Sequence, residues 1–413
     1  MRVLSGEFAA ERVRKIAGRS ARYANVEPVV QRIIADVRRN GDRALRKYAQ
    51  RWDRLPAQAP LRVSPKEIRA AWSATSSELR RSLRLAAVNI RRFCELQKPV
   101  AWMRKAEGIS LGQLVRPLGS VGCYVPGGRY PLVSTMLMTA IPAQVAGVER
   151  IVVTSPSLHN DILAAAAMLD IQEIYRVGGA HAVAALAYGT ETIPRVDKIV
   201  GPGNLYVAAA KKEVAFNCSI DFLAGPTEGL VVSDKGTPQF IAADLVAQAE
   251  HDPEALPLFI TTRKKLALQV ADCVRALSAG NAIARRALQR NGAILVAASR
   301  KQSFEWANEI ACEHLTIDRG DLALVRNAGS VFIGGYSPQA AGDYASGPNH
   351  VLPTAGAARF RGGLSVLDFV KLISVQNLTR RGLEKIAPAI EALAKAEGLH
   401  AHAQSIRVRC DRA

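Results

Sequence analysis

Two pairs of residues in the second half of the chain have the types and spacing that metal binding and proton transfer require. Gln248 and His251 are three residues apart at the end of a predicted helix, which puts both on one face. Imidazole is a good zinc ligand, whereas a glutamine carbonyl is an uncommon one. Glu313 and His314 are adjacent, a carboxylate beside an imidazole of the kind that transfers protons near neutral pH. Taken alone, the first pair also fits a capped helix end and the second an ordinary dipeptide.

Further candidates lie in two polar segments near the C-terminus. Asp343 and His350 belong to segment 337–365, which is rich in Gly, Pro, Ser and Asn and is predicted to be a long loop. Glu397 and His402 lie in a polar tail. All but one of the seven histidines fall within or beside such polar turns. This concentration favours a functional site over histidines packed in a core.

Glycine-rich turns after predicted strands could bind a nucleotide. They are Gly127-Gly128, Gly178-Gly179 and Gly201-Pro202-Gly203-Asn204. Such turns at the carboxyl ends of neighbouring strands would rim one crevice, which is where open parallel sheets bind nucleotides. The chain lacks the GxGxxG fingerprint, so each turn alone could be a simple tight turn. The three together favour a ligand crevice.

Two series of short β-branched runs alternating with helical stretches must position these residues. This alternation is typical of parallel βαβ units. We therefore predict an α/β fold with two tandem Rossmann-like domains that lack GxGxxG, N-terminal helices and a small C-terminal helical tail. The predicted boundaries are 1–117 for an N-terminal helical region packing with the second α/β block, 118–226 and 227–360 for the two domains, and 361–413 for the tail.

The composition limits the class of protein. A chain of 413 residues with 49% hydrophobic residues can bury several cores. Its apolar runs stay below the roughly 18 residues of a membrane span, and its charged N-terminus is unlike a secretory signal, so we expect a cytoplasmic protein. Six widely separated cysteines are predicted to be reduced thiols. The net charge of +19 is scattered along helices, which favours an arginine-rich solvated surface over nucleic-acid or membrane binding.

Long motifs in a fixed order make the chain resemble the histidinol dehydrogenase family from about Asn89 to Arg409. The strings that carry the resemblance are GCYVPGGRYPL, MTAIPAQVAGV, VGGAHAVAALAYGTETIP, VDKIVGPGNLYV, AGPTEGLVV, AADLVAQAEHDP, EHL, GDYASGPNHVLPT, LSVLDFVK and EGLHAH. They are long enough to be highly specific. The N-terminal helices agree only in pattern.

The resemblance implies roles for individual residues. It implies zinc ligands at Gln248, His251, Asp343 and His402. It implies an acid/base pair at Glu313 and His314, with His314 as the proton acceptor. Substrate contacts would come from Thr227, His350 and Glu397, together with His314 and the four zinc ligands. NAD contacts would come from Tyr124, His181 and Asn204.

The resemblance also implies a reaction and an assembly. The reaction is a double oxidation, from alcohol to aldehyde and from hydrated aldehyde to acid, with two NAD molecules used in turn and one zinc ion per chain that orients the substrate. The assembly is a homodimer in which the tail bearing Glu397 and His402 completes the partner's site. A Gly-rich segment at 355–364 would provide the crossing point between subunits.

Four positions depart from the usual family pattern. His181 replaces a common Gln, and Thr227 replaces Ser with its hydroxyl kept. Gln339 replaces a Glu that helps to hold the substrate's ammonium group, and Cys312 replaces a common Pro. Two alternatives to a histidinol enzyme stay open: a family relative that oxidises another small alcohol, for example an anionic one, and a non-catalytic basic binding protein on the same scaffold. Retention of the ligand set and the acid/base pair argues against the second.

Overall fold

A computed structural model describes residues 1–19, 25–127 and 132–410, and within them it confirms a mixed α/β fold with parallel sheets. The strands are β1 (Arg2–Ser5), β2 (Trp102–Ala106), β3 (Ile109–Pro117), β4 (Ser120–Tyr124), β5 (Arg150–Thr154), β6 (Glu173–Tyr175), β7 (Lys198–Val200), β8 (Ser219–Ile220), β9 (Glu228–Val232), β10 (Leu256–Thr261), β11 (Ala293–Val296), β12 (His314–Ile317), β13 (Ser330–Ile333) and β14 (Val370–Leu378). The helices are α1 (Gly6–Ala17), α2 (Glu27–Trp52), α3 (Pro65–Ala74), α4 (Ser77–Gln97), α5 (Val133–Ala146), α6 (Asn160–Met168), α7 (Gly179–Tyr188), α8 (Leu205–Val214), α9 (Pro238–Ala249), α10 (Lys264–Leu277), α11 (Ala282–Arg290), α12 (Arg300–Ile310), α13 (Gln339–Tyr344), α14 (Arg380–Ala396) and α15 (His400–Cys410).

The first parallel sheet has the strand order β6-β5-β4-β7-β8. One face packs on α3, α4, α5 and α6, and the other on α2, α7 and α8. Helix α7 has almost no exposed side chain, because its sequence GAHAVAALAY is rich in alanine and can pack closely on both sides. Because β4, β6 and β7 belong to one parallel sheet, the glycine-rich turns that follow them all lie at the same edge, where the strands have their carboxyl ends. Residues 128–131 of the first turn lie outside the described residues.

The second parallel sheet has the strand order β1-β11-β10-β9-β12-β13. Helices α1 and α12 cover one face, and α9, α10 and α11 cover the other. Without the extra edge strand β1, each of the two sheets has five strands. When these are numbered by their order in the chain, their spatial order across both sheets is third, second, first, fourth and fifth. This is a doubly wound order. The division into two Rossmann-like domains with the proposed boundaries stays a prediction.

The N-terminal region differs from its prediction as a helical region packed on the second block. In the described part of this region, β1 pairs with β11 at the edge of the second sheet and α1 packs on a face of that sheet. Helices α2, α3 and α4 pack instead on the helices of the first sheet, because their buried apolar stripes face α7, α6 and α5. Helix α2 is interrupted at Gly41, which adopts φ +49° and lies against the Glu191 carboxylate.

The C-terminal segments also differ from their predictions. The predicted long loop 337–365 contains the short helix α13, and the tail begins with strand β14 before its two helices. Strand β14 pairs antiparallel with β3, which pairs with β2, so that a separate three-stranded sheet is formed. Most of β14 is exposed, so it lacks the apolar alternation by which a half-buried strand is recognised. No helix within the described ranges is long and apolar enough to cross a membrane.

Candidate active site

The site begins at the amino ends of two neighbouring strands of the second sheet. Strands β9 and β12 pair in parallel with Gly229 opposite His314, which brings Thr227 and Glu228 beside Glu313. Both members of the predicted acid/base pair are buried, with 7% of Glu313 and 3% of His314 exposed. Open parallel sheets usually bind ligands at the carboxyl edge. Here the acid/base pair lies at the opposite edge, which the strand pattern alone could not indicate.

Hydrogen bonds fix the side chain of Glu313. Its Oε2 accepts the Thr227 hydroxyl at 2.8 Å and the Glu228 backbone N–H at 2.9 Å. The Nδ1 atom of His314 lies 3.3 Å from the Glu228 carbonyl oxygen and 3.6 Å from Glu313 Oε2. The two adjacent side chains are thus held by the backbone of a single residue, Glu228, from the neighbouring strand.

Helix α13 brings Asp343 to the other side of His314. The Nε2 atom of His314 is 3.1 Å from Asp343 Oδ1, and the Gln248 amide donates to Asp343 Oδ2 at 3.2 Å. The Thr227 hydroxyl lies 3.1 Å from Gln248 Oε1, which closes the ring of contacts. His350 joins the group through its Nδ1, 2.7 Å from the Asp343 carbonyl oxygen. The structure therefore unites five predicted residues that are far apart in sequence around His314.

Electrostatics in this buried group favour a charged His314. Burial lowers the pKa of the ring, but the negative charges of Glu313 and Asp343 outweigh burial and raise the pKa to about 10. Burial raises the pKa of Asp343, yet its hydrogen bond and attraction to His314 leave that pKa below its usual value. Burial lowers the pKa of His350. These directions apply without a bound cation, because positive charge at Asp343 would oppose the rise at His314.

The donors at this site suit a zinc ion in part. Gln248 donates its amide N–H to the Asp343 carboxylate and accepts the Thr227 hydroxyl at its amide oxygen. The exposed His251, which follows α9, lies near enough to Asp343 to contribute to the lowering of its pKa. These are nitrogen and oxygen donors without sulfur, a set that zinc accepts. Across residues 1–19, 25–127 and 132–410, no three His, Cys, Asp or Glu side chains of the single chain are grouped to hold a metal. The donor set fits zinc if a further ligand comes from elsewhere.

The tail residues Glu397 and His402 are both exposed. Their helices α14 and α15 make their main contacts with each other, and α14 also contacts β14. The structure of one chain therefore does not unite the tail with the group around His314. Leu393, Leu399 and Val408 of the tail are exposed apolar residues.

The predicted NAD residues lie at the carboxyl edge of the first sheet. Tyr124 is buried at the end of β4, and its hydroxyl accepts the Gly179 N–H at 3.0 Å. Asn204 is exposed and caps α8 by accepting two backbone N–H groups. Gly201 has φ +115°, and a Cβ there would collide with the Tyr124 carbonyl oxygen, so only glycine fits this turn.

His181 is paired with a residue that the sequence analysis did not identify. Its Nε2 lies 2.7 Å from Asp53 Oδ2, which also accepts the Gly178 N–H at 2.9 Å. The ring is 1% exposed, and its Nδ1 has no hydrogen-bond partner among the described residues. Asp53 follows α2, 128 positions earlier in the chain, so no local spacing could have indicated this pair.

Gln339 lies beside the site, at the start of α13. It is 1% exposed, and its amide donates to the Thr316 hydroxyl at 3.1 Å, while its Oε1 has no partner in the described part of the chain. Its backbone N–H is accepted by Asp244, a carboxyl whose pKa is raised to about 6 by burial and by the nearby charge of Asp343. Gln339 therefore places a neutral amide beside the site, and its Oε1 is able to accept a hydrogen bond.

Comparisons with known proteins agree on one family. The model of the histidinol dehydrogenase family matches residues 17–410. A histidinol dehydrogenase of Methanothermobacter thermautotrophicus is 48% identical over 392 residues, which are 91% of this chain and 92% of that protein. One from Geobacillus kaustophilus is 48% identical over 394 residues, covering 92% and 93%. The crystal structure of histidinol dehydrogenase from Elizabethkingia anophelis superposes with a TM-score of 0.94 at 36% identity, covering 99% of this chain and 98% of that one.

Proposed function

The chain belongs to the histidinol dehydrogenase family of oxidoreductases, and we propose that it oxidises L-histidinol to L-histidine through histidinal, in the cytoplasm, as the last step of histidine biosynthesis. The proposal includes one zinc ion per chain and two NAD molecules per turnover. The observation that carries it is the buried group in which His314 lies between Glu313 and Asp343, with Thr227, Gln248 and His350 in contact.

The chain's own residues account for the proton transfers. Positive charge held at Asp343 would oppose the rise of the His314 pKa and favour its neutral form, and in the first oxidation neutral His314 accepts the proton of the substrate hydroxyl while the carbon loses a hydride. In the second, Glu313 orients the water that hydrates the aldehyde, and the hydrate loses a second hydride and both of its hydroxyl protons. The overall conversion of alcohol and water to carboxylate releases two hydrides and three protons. NAD supplies the hydride acceptor in each step. Burial of both residues excludes bulk water from the aldehyde.

Zinc would be held by Gln248, His251 and Asp343 of one chain and His402 of the tail. When bound, it would orient the substrate through an amino group and an imidazole nitrogen. His350 and Glu397 remain to contact the substrate, a carboxylate being suited to accept the ring N–H. Tyr124, His181 and Asn204 would contact NAD at the carboxyl edge of the first sheet.

A homodimer with exchanged tails would complete this site. Support comes from the exposure of Glu397 and His402, away from the group around His314 in the single chain. The three-stranded sheet that contains β14 also exposes large apolar side chains, with Trp102 46%, Leu372 50% and Ile373 45% exposed. Leu372 and Trp102 lie on the same face of this sheet, because Val115 and Gln113 opposite them on β3 are two residues apart, and exposed apolar surface of this kind is characteristic of protein interfaces. We therefore propose that each tail supplies Glu397 and His402 to the other subunit.

The activity can be measured by NADH absorbance with L-histidinol as substrate. We expect NADH formation that is abolished when zinc is removed by a chelator and restored when zinc is added back. Metal analysis should find about one zinc per chain, and X-ray absorption should show nitrogen and oxygen ligands. A sulfur ligand, or full activity in a zinc-free protein, would contradict the zinc assignment.

A second candidate substrate class follows from the neutral Gln339. An amide accepts a hydrogen bond from an ammonium group but supplies no negative charge, so a small alcohol without an amino group would bind with little loss. This alternative keeps the proposed chemistry at His314 and changes only the substrate. It would be favoured if another small alcohol gave NADH and histidinol did not.

Replacing Gln339 with Glu tests between the two substrates. The new carboxylate can pair with the substrate's ammonium group, so kcat/KM for histidinol should rise about 10-fold or more, mainly through a lower KM. Gln269→Glu is the matched control, because it makes the same change at an exposed position on α10 and should leave kcat/KM unchanged. If kcat/KM does not improve in Gln339→Glu, residue 339 does not bind the substrate's ammonium group.

A further inference from the structure

A buried ion pair lies directly behind the proposed acid/base pair. Arg19, which follows α1, donates to Glu228 through two nitrogens, Nε to Oε1 at 2.7 Å and Nη2 to Oε2 at 2.5 Å. The side chain of Arg19 is 18% exposed and that of Glu228 5%. Two parallel N–H to carboxylate bonds fix orientation as well as distance. The pair is therefore a rigid connection between the N-terminal segment and the start of β9.

Both partners of this ion pair are themselves anchored. The remaining guanidinium nitrogen of Arg19 donates to the carbonyl oxygens of Ile16 at 2.8 Å and Ile310 at 2.9 Å, which end α1 and α12. Glu228 Oε1 also accepts the Ala355 N–H at 2.8 Å, from the segment that follows His350. The Glu228 side chain is thus held by groups from two separate parts of the chain, at residues 19 and 355.

The backbone of Glu228 is the part that faces the site. Its N–H donates to Glu313 Oε2 at 2.9 Å, and its carbonyl oxygen lies 3.3 Å from His314 Nδ1. A movement of residue 228 would therefore displace both proposed acid/base side chains at once. Displacements of about 1 Å can reduce turnover by about 10²-fold.

We propose that Arg19 and Glu228 are positioning residues for the reaction: their ion pair fixes the backbone of residue 228, and that backbone orients Glu313 and His314. The inference rests on the proposed function for its catalytic consequence. Neither side chain touches the substrate in this scheme. Their loss should lower kcat while the KM values for histidinol and NAD change little.

Arg19→Lys tests this proposal, because it keeps the positive charge and loses the two-pronged contact. We expect kcat to fall about 10-fold or more, with both KM values within about twofold of the original protein. Arg19→Met should reduce kcat further, since it leaves Glu228 buried without its partner. If Arg19→Met does not fold, Arg19→Lys still decides the question.

Arg150→Lys is the matched control. Arg150 makes the same two-pronged contact with Glu173, at 2.8 and 2.9 Å, between strands of the first sheet and far from Glu313 in the fold. A purely structural role for Arg19 would give both variants a similar small loss of stability and unchanged kcat. An Arg19→Lys enzyme with kcat within about twofold of the original would overturn the proposal.

Amide hydrogen exchange gives a readout that needs no substrate. The Glu228 N–H is hydrogen-bonded to Glu313. The peptide spanning 226–232 should therefore exchange its amide hydrogens faster in Arg19→Lys than in the original protein, and at the original rate in Arg150→Lys. Unchanged exchange in Arg19→Lys would overturn the positioning role whatever the substrate is. A wild-type protein that forms no NADH from histidinol would instead refute the proposed function, and the exchange result would still decide whether Arg19 fixes residue 228.

Discussion

Replacing His314 with Asn is expected to lower kcat by about 10²–10⁴-fold, the usual loss when a positioned base is removed. Asparagine can still donate a hydrogen bond to Asp343, but it cannot accept and release a proton in this pH range. The loss should therefore fall on kcat. NAD binding, measured by titration of the protein's fluorescence, should be unchanged, because the proposed NAD residues lie on the other sheet.

His159→Asn is the control for this substitution. His159 is exposed just before α6, outside the polar segments, and its replacement should leave kcat unchanged. Near-normal turnover of His314→Asn at neutral pH would exclude His314 as the proton acceptor. Glu313→Gln should slow the oxidation of the aldehyde more than that of the alcohol, which can be measured by supplying histidinal directly.

Two inactive variants should restore activity to each other when their subunits are mixed. His251→Ala and His402→Ala each remove one proposed zinc ligand, so each alone should lose zinc and almost all activity. With exchanged tails, a mixed dimer has one site with both mutations and one with neither. Half of the dimers are mixed after random exchange, so about one quarter of the original sites should be active.

The pair His251→Ala and His314→Asn is the control for the mixing experiment. Both of these residues belong to the body of the chain, so no mixed dimer can assemble an intact site, and no activity should return. Subunit exchange can be verified by mass spectrometry of differently tagged chains. Absence of recovery with His251→Ala and His402→Ala despite proven exchange would contradict the shared site.

The sequence by itself determined the local elements, because burial of one face imposes a periodic pattern that is written within a few residues. The alternation of short β-branched runs with helical stretches predicts parallel βαβ units, and the two parallel sheets with helices between their strands are observed. Patterns failed where burial is incomplete. Exposed β14 falls within the predicted helical tail, and α13, only six residues long, falls within the predicted loop.

The sequence also identified the family and, through it, the residue types of the site. Gln248, Glu313, His314, Asp343 and His350 were named from motifs, and the structure places them in one group. Their contact could not be deduced from spacing. Gln248 and Asp343 are separated by 95 positions, and only the parallel pairing of β9 with β12 and the return of α13 bring them together.

Only the tertiary structure decided which edge of the second sheet carries the proposed acid/base pair and which residues support it. Arg19 meets Glu228 across 209 positions and His181 meets Asp53 across 128. Such contacts leave no periodic or spacing signal, because they depend on the order of strands in a sheet and on the packing of its helices. Local residues specify which elements form, whereas the order and pairing of those elements determine which side chains meet.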